Sequence, residues 1–498
     1  MATYGPTPLT ILPLSNPLTS AKRSGSGSGS SSSSSSSSGA RRRFGRSLTF
    51  IIACGLAVHI LIFWKEGEFR TYLCQTVSFS PRKPVNNPHA TISKTFNTTA
   101  SATGIDKEGS DEDHVAVALE AGPTGRKPLT TLGFRADESY KLGSTIPLAY
   151  RYELTSFIRS SFPYSLQPLV QANLDLYFPL GEAGNPGPMA QRLPAMINNT
   201  NVWQTNKQQT VDLGGWIWRN EDWKWNMLDD VDAAKWVRER LGESEIEKMW
   251  NDLPTGILKA DFLRYLLVFF HGGVYSDTDT ICLRPIEEWG ASADLWSDRD
   301  GNSWLPSIRE GESPEDRKAA LGPPSVIIGV EVDVGDREDW YRWWPRPLQI
   351  VQWTFAAAPH HPIFIDVISR VASATARAKA WSEDRDKRVE ALQEAGKVDE
   401  AKALASIPVH DNGDNGGHMS VMEWTGPGVF TDAVFRYLEA RYGVTWPALR
   451  MLERPLRVGD VLILPRTGFS PGMNGANPPS DPQAMVQHQF LGSWKGND

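Results

Sequence analysis

Residues 257 to 281, ILKADFLRYLLVFFHGGVYSDTDTI, oblige the chain to build a buried helix, stop it on two glycines and emerge at once onto an acidic loop. From Ile257 to Phe270 the apolar positions recur at helical spacing, Gly272 and Gly273 end the helix, and Val274-Tyr275 reads as a short strand. Asp277 and Asp279 follow. Residues two apart in an extended segment point the same way, so both carboxylates can close on one hard divalent cation while Thr278 turns aside. A cation so held can grip a diphosphate. The chain has five Asp-x-Asp triplets, at 111/113, 230/232, 277/279, 298/300 and 384/386, so the triplet alone decides nothing. Only Asp277/Asp279 sits directly behind an apolar helix and a Gly-Gly turn, where a carboxylate pair beside a core is costly unless neutralised.

The 498 residues divide unevenly. Residues 24 to 39 are almost pure Ser and Gly and cannot repay their ordering entropy, so residues 1–46 are expected to be a disordered tail. Arg41, Arg42, Arg43 and Arg46 precede an uncharged run, residues 47–64, of about the length a bilayer core requires. It reads as a single transmembrane helix, the alternatives being a signal peptide or a buried core helix. The basic cluster in front of it keeps the tail cytosolic and sends the remainder to the lumen. Residues 65–192 read as a stem and residues 193–498 as the main folded domain. Within the stem, residues 140 to 180 carry enough apolar side chains to fold against a surface that the sequence does not identify. A net charge of -7 argues against nucleic acid as a partner. Of the three cysteines, Cys54, Cys74 and Cys282, only the last falls in the folded domain, so no disulfide framework supports it. A bridge from Cys74 to a second chain stays open. The sequons at Asn97 and Asn198 agree with a luminal placement.

Alternation of strands and helices makes the folded domain α/β. Ala195 to Gln204, Trp223 to Leu228, Val326 to Val330 and Val458 to Leu464 read as strands, and Val231 to Leu241 as a helix. Gln349 to Ala357, Pro362 to Trp381 and Val429 to Tyr442 read as further helices, and the charged, Ala-rich stretch from 381 to 405 as a solvated helical excursion. In open α/β sheets a ligand sits beyond the carboxyl ends of the strands, where Trp203-Gln204, Asp229-Asp230 and Asp277-Asp279 would converge.

Asp261 and Arg264 lie one helical turn apart and lead into the acidic loop, either as a plain ion pair or as a contact to sugar hydroxyls or phosphate. The stretch Met485 to Trp494 alternates like a strand; His488 could complete the metal shell, and Ser493 and Trp494 could donate to phosphate. Thr425 stands near the N-cap of the helix from Val429, where free amides face whatever lies in front. Tryptophans bunched at 340, 343, 344 and 353 are either core or platforms for sugar rings.

These segments together resemble glycosyltransferase family 32, and within it the fungal Golgi initiating α-1,6-mannosyltransferases. The likeness is carried by Val202 to Thr205, Lys259 to Asp279, Ile328 to Asp333 with Arg337 to Trp340, Gln352-Trp353-Thr354, Glu423 to Phe430, Phe469 to Gly472, and His488 to Trp494. It implies a GT-A-type fold, a mixed central sheet flanked by helices, as a catalytic glycosyltransferase domain behind the membrane helix and stem. It implies GDP-mannose as donor, Mn2+ as cofactor with Mg2+ as the alternative, and transfer to a glycan or glycoprotein acceptor with retention of configuration. Asp277 and Asp279 would bind metal and diphosphate, Asp261, Arg264 and Tyr275 would lie near the donor, and Trp203 would meet the base. His488, Ser493 and Trp494 would hold metal and β-phosphate. A single-pass type II Golgi membrane enzyme, working alone or in a complex with other mannosyltransferases, is the expectation. Transfer to inositol phosphoceramide, or a non-catalytic place in a mannan polymerase, are the alternatives.

Overall fold

A computed structural model describes residues 133–189, 193–296, 313–411 and 418–491. The expected span at 47–64 lies outside them, and among the described residues no helix is long and apolar enough to cross a membrane. Thirteen short strands run β1 Asn201–Thr205, β2 Lys224–Leu228, β3 Gly273–Ser276, β4 Thr280–Cys282, β5 Asp294–Leu295, β6 Val326–Asp333, β7 Leu348–Ile350, β8 Thr354–Ala357, β9 His410–Asp411, β10 Met419–Ser420, β11 Leu456–Val458, β12 Val461–Leu464 and β13 Val486–His488. The central sheet has the order β2-β1-β3-β8-β6-β12-β11-β5, with β7 paired to β6. It is mixed: β1 runs parallel to β2 and β3, and β6 to β12, while β8 is antiparallel to both β3 and β6. Strands β1, β2, β3, β6 and β12 therefore all end on one edge of the sheet.

Alternation along these strands builds two cores, because successive side chains leave a strand on opposite faces. Trp203, Tyr275, Val326, Ile328, Val330, Phe355 and Ile463 go to one face with the helices Gly256–His271, Pro362–Glu394 and Pro427–Tyr442. Val202, Val274, Ile327, Ala356 and Leu462 go to the other, where they meet Trp216, Trp289 and Phe469. The helix Gly256–His271 is apolar almost all round, as a helix enclosed by a sheet and other helices must be. Gly272 and Gly273 then turn with φ of 66° and 94°, and a Cβ at Gly273 would lie 2.3 Å from the carbonyl oxygen of Asn201. No other residue allows β3 to come so close to β1.

Four expectations need correction. The helices Pro147–Ser161 and Gln167–Tyr177, placed in the stem, bury Tyr150, Leu154, Ile158, Val170 and Leu174 in the first core. Arg441 fixes them from the far end of the chain by donating to the carbonyls of Tyr177 and Gly187. The packed unit thus extends N-terminal to the boundary expected at 193. Gln349 to Ala357 is not a helix but the strands β7 and β8, buried on both faces. A run with no polar face carries no period to separate helix from strand. Val458 to Leu464 is a hairpin folded at Gly459-Asp460, and the strand expected from Ala195 begins only at Asn201, after a turn of 3-10 helix. The helix from Pro362 continues through the charged stretch to Glu394, followed by Val398–Ala405, with mostly exposed side chains as expected.

Candidate active site

Strand β3 ends at the carboxyl edge of the sheet and hands the chain to Asp277, whose backbone and side chain are both tied down. Its N–H donates to the Trp353 carbonyl at 2.9 Å, and its own carbonyl accepts from the Thr280 hydroxyl at 2.6 Å and the Gln204 amide at 3.0 Å. The Gln204 carbonyl oxygen accepts from the indole of Trp225 at 2.8 Å, which fixes the orientation of that amide. Tyr275 donates its hydroxyl to Asp277 Oδ1 at 2.8 Å; with that proton spent, Thr205 at 3.0 Å must be the donor to Tyr275. Burial raises the Tyr275 hydroxyl well above its ordinary value, so it stays a donor.

Arg264 reaches the same carboxylate from the helix. Its Nη2 lies 2.8 Å from Asp261 Oδ1 and 3.2 Å from Asp277 Oδ1, and Arg264 and Asp261 are both buried. Asp261 Oδ2 accepts from the Thr425 hydroxyl at 2.9 Å. Thr425 therefore does not cap the helix Pro427–Tyr442, whose N-cap is Gly426; it buttresses Asp261 instead. Burial raises the carboxyls of Asp261 and Asp277 and Arg264 opposes it, while burial pulls Arg264 down and the two acids more than restore it. A second acid, Asp279, pushes Asp277 further up. Such a site favours an added cation, because three acids, Asp261, Asp277 and Asp279, exceed what one guanidinium neutralises.

His488 arrives by a separate route. Strand β13 pairs antiparallel with β4 and sets His488 opposite Thr280, the neighbour of Asp279. The amides of Gln489 and Leu491 donate to the carbonyl and to Oδ2 of Asp279 at 2.8 and 3.1 Å. Phe490, at φ 50°, bends the chain between them. Ligand atoms of Asp277, Asp279 and His488 all lie within 4.8 Å of one another. Burial lowers the His488 imidazole to about 4, Asp279 notwithstanding, so the ring is neutral at neutral pH. Its Nδ1 accepts from the Phe490 N–H at 2.8 Å, which leaves the proton on Nε2, 3.3 Å from Asp279 Oδ1, and a metal bound there would take that proton's place. Two carboxylate oxygens and one imidazole fit a Mn2+-like ion, the nitrogen being softer than Mg2+ prefers. The ring of Trp353 packs on His488 at 4.6 Å.

A cleft of 570 Å³ opens in front of these groups, lined by Thr205, Lys207, Asp230, Lys259, Arg264, Asp277, Asp279 and His488 among others. Arg264 lines the cleft, and its Nε, buried behind that wall, has no hydrogen-bond partner among the described residues. Trp203 is a correction: it does not line the cleft, its indole N–H is given to the Gly272 carbonyl at 3.0 Å, and its ring is stacked on His271. The strand sends Trp203 to the core, and Thr205 takes the rim. Ser493 and Trp494 lie outside the described residues. Trp340 and Trp353 are buried, while Trp343 is 54% exposed. Gln204, Thr205 and Trp353 support the acidic loop, a role not read from the sequence, although Val202 to Thr205 and Gln352 to Thr354 are among the segments that carry the family likeness.

Residues 199–296, the stretch that holds β1, β3 and the acidic loop, match the family described as "Glycosyltransferase sugar-binding region containing DXD motif". The chain is 36% identical over 305 residues to the initiation-specific alpha-1,6-mannosyltransferase of Schizosaccharomyces pombe, covering 59% of this chain and 63% of that one. With the protein of the same name from Candida albicans it shares 30% identity over 327 residues, covering 59% of this chain and 71% of that one. The chain belongs to glycosyltransferase family 32. The matched stretch contains Asp277-Thr278-Asp279. A solved structure, the PaToxG glycosyltransferase, aligns with 59% of this chain and 80% of its own at 12% identity, with a TM-score of 0.25.

Proposed function

We propose that this family 32 glycosyltransferase moves mannose from GDP-mannose to an N-glycan or mannoprotein acceptor, forming an α-1,6 linkage with retention of configuration. The observation that carries the reading is the convergence of Asp277, Asp279 and His488 at the mouth of the cleft. The mannose donor and the linkage are supported by the relatives, initiation-specific alpha-1,6-mannosyltransferases matched over 63% and 71% of their lengths. A GT-A-type fold agrees with the mixed sheet and the acidic loop at its carboxyl edge. Placement in the Golgi lumen behind a type II anchor rests on residues 41–64 alone.

The chemical demand is to stabilise a nucleoside diphosphate as it leaves an oxocarbenium-like sugar. A Mn2+ ion held by Asp277, Asp279 and His488 would supply positive charge to that diphosphate. The protein's own part is preorganisation: Tyr275, Gln204 and Arg264 hold Asp277 in place before substrate arrives, so little reorganisation is needed as charge develops. Arg264 and Lys259 add positive charge at the cleft wall. Attack on the face the phosphate leaves, with a departing phosphate oxygen taking the acceptor's proton, accounts for retention. The test is transfer by the purified full chain supplied with GDP-mannose, Mn2+ and an oligomannose acceptor, with linkage analysis of the product, set against Asp277→Ala. Transfer that survives that substitution or an excess of chelator removes the metal-site reading; a product linkage other than α-1,6 removes the linkage.

A further inference from the structure

Beyond the cleft, one acid at the carboxyl edge of the sheet is handled unlike the others. Five acids are buried in the described residues, and each faces a basic side chain: Asp261 with Arg264, Asp333 with Arg450, Asp366 with Arg370, Asp432 with Arg346, and Asp460 with His361. Glu331, half-buried near the end of β6, faces none among the described residues; its one hydrogen bond comes from the Gln349 amide at 2.8 Å. It is also the odd residue of a β-bulge, since Val330 pairs with Ile350 and Val332 with Gln349, leaving Glu331 without a ladder partner. A bulge of this kind re-aims a side chain at a sheet's edge.

The surroundings are those of a hydroxyl site. The buried indole N–H of Trp353 is turned to the Glu331 carboxyl, which it helps to hold down, and has no other partner. Gln349 Oε1 is likewise buried and unpaired. A carboxylate beside an unpaired amide oxygen can take a sugar hydroxyl between them, the carboxylate accepting its proton and the amide oxygen lying close by. Trp353 is the residue whose ring packs on His488 and whose carbonyl holds the Asp277 amide, so Glu331 stands one side chain away from the metal triad. It is not part of the lining of the 570 Å³ cleft that a nucleotide sugar would fill.

We infer that Glu331, with Gln349 and Trp353, binds a hydroxyl of the acceptor sugar beside the transfer site. The inference rests on the glycosyltransferase reading and deepens it. Burial raises the Glu331 carboxyl to about 7 against the pull of Gln349 and Trp353, so a hydroxyl donating to it would favour the ionised form near neutrality.

The full chain and its Glu331→Gln variant would be compared in three measurements: GDP binding with Mn2+ by calorimetry, release of mannose to water, and transfer to an oligomannose acceptor across neutral pH. The expected result is GDP affinity and hydrolysis within about twofold of wild type, with kcat/KM for the acceptor lowered about 10²-fold and partly restored in Glu331→Asp. The wild-type acceptor profile should rise as pH passes through the Glu331 value, and the variant's should be flat. Unchanged acceptor kinetics and an unchanged profile would overturn the inference, as would a parallel loss of hydrolysis, which would place the contact on the donor sugar. Failure of the wild-type chain to bind GDP or transfer mannose would instead sink the underlying reading, and this inference with it.

Discussion

Asp460 is more deeply buried than Glu331, yet the two carboxyls are driven in opposite directions. They stand at opposite edges of one sheet: Asp460 just before β12, in the hairpin turn, and Glu331 near the end of the parallel β6. Burial alone would raise Asp460, but His361 at 2.8 Å, the hydroxyl of Tyr442 and the nearby Arg457 outweigh it and hold it below the ordinary carboxylate range. Glu331 receives only an amide and is raised to about 7. At the far edge the charge of Asp460 is spent on holding the fold together. The edge where the strands end leaves charge unspent, at Glu331 and at the Asp277–Asp279 pair, and a surplus of that kind is what a ligand can satisfy.

The largest effect should separate function from fold at the unspent edge. Asp279→Ala should lower transfer by roughly 10³-fold, as loss of a principal electrostatic group does, while leaving the melting temperature close to wild type. Kinetics and thermal melts on the same preparation check both halves; a variant that unfolds would place Asp279 with the structural acids. Next in size comes Arg264→Ala, which strips the cation from a pair that is buried and leaves Asp261 uncompensated. A loss of about 3–5 kcal/mol is expected in chemical denaturation. Because Arg264 also touches Asp277, restoring neutrality with Asp261→Asn in the same chain should recover part of the stability and none of the activity.

How much of this contrast could be read from the sequence depends on how local its causes are. The helix, the two glycines and the acidic pair lie within a single stretch, so Asp277 and Asp279 were legible together, and alternation before Trp494 made His488 legible as well. Trp203 was misplaced because a strand's alternation gives the face and not the depth: Trp203 and Thr205 share a face, but only Thr205, at the strand's last position, reaches the cleft. Gln349 to Ala357 was misread because β7 and β8 are buried on both sides and show no polar stripe. Glu331 was beyond reach: a bulge is a property of two paired strands, and nothing in VIIGVEVD marks it. The helices before residue 178 had no visible destination, since the groups that hold them, such as Arg441, come from the other end of the chain.

Asp460 offers a smaller effect whose sign is fixed. Its folded pKa is depressed, so its contribution is complete above the unfolded value and is lost as pH falls through the folded one. Asp460→Asn should cost about 2 kcal/mol at neutral pH, the worth of hydrogen bonds to a charged group. The deficit should shrink in acid, where the wild type loses the same interaction. Denaturation curves from neutral to about pH 3 would show the two proteins converging; a constant gap would mean the loss is one of shape rather than charge.

Glu331 should show the reverse. A carboxyl held at about 7 in the folded chain binds a proton that the unfolded chain has already released, so the wild type loses stability as pH rises from the unfolded value to about 7. Glu331→Gln carries no such proton and keeps its amide beside Gln349. The variant should therefore match the wild type in mild acid and exceed it by about 1 kcal/mol above neutrality, a figure discounted for the solvent that reaches a half-buried group. Melting both proteins across that range checks it. A variant less stable than wild type at every pH would show that the Glu331 carboxylate is held by the fold after all, and would move it from the unspent edge to the company of Asp460.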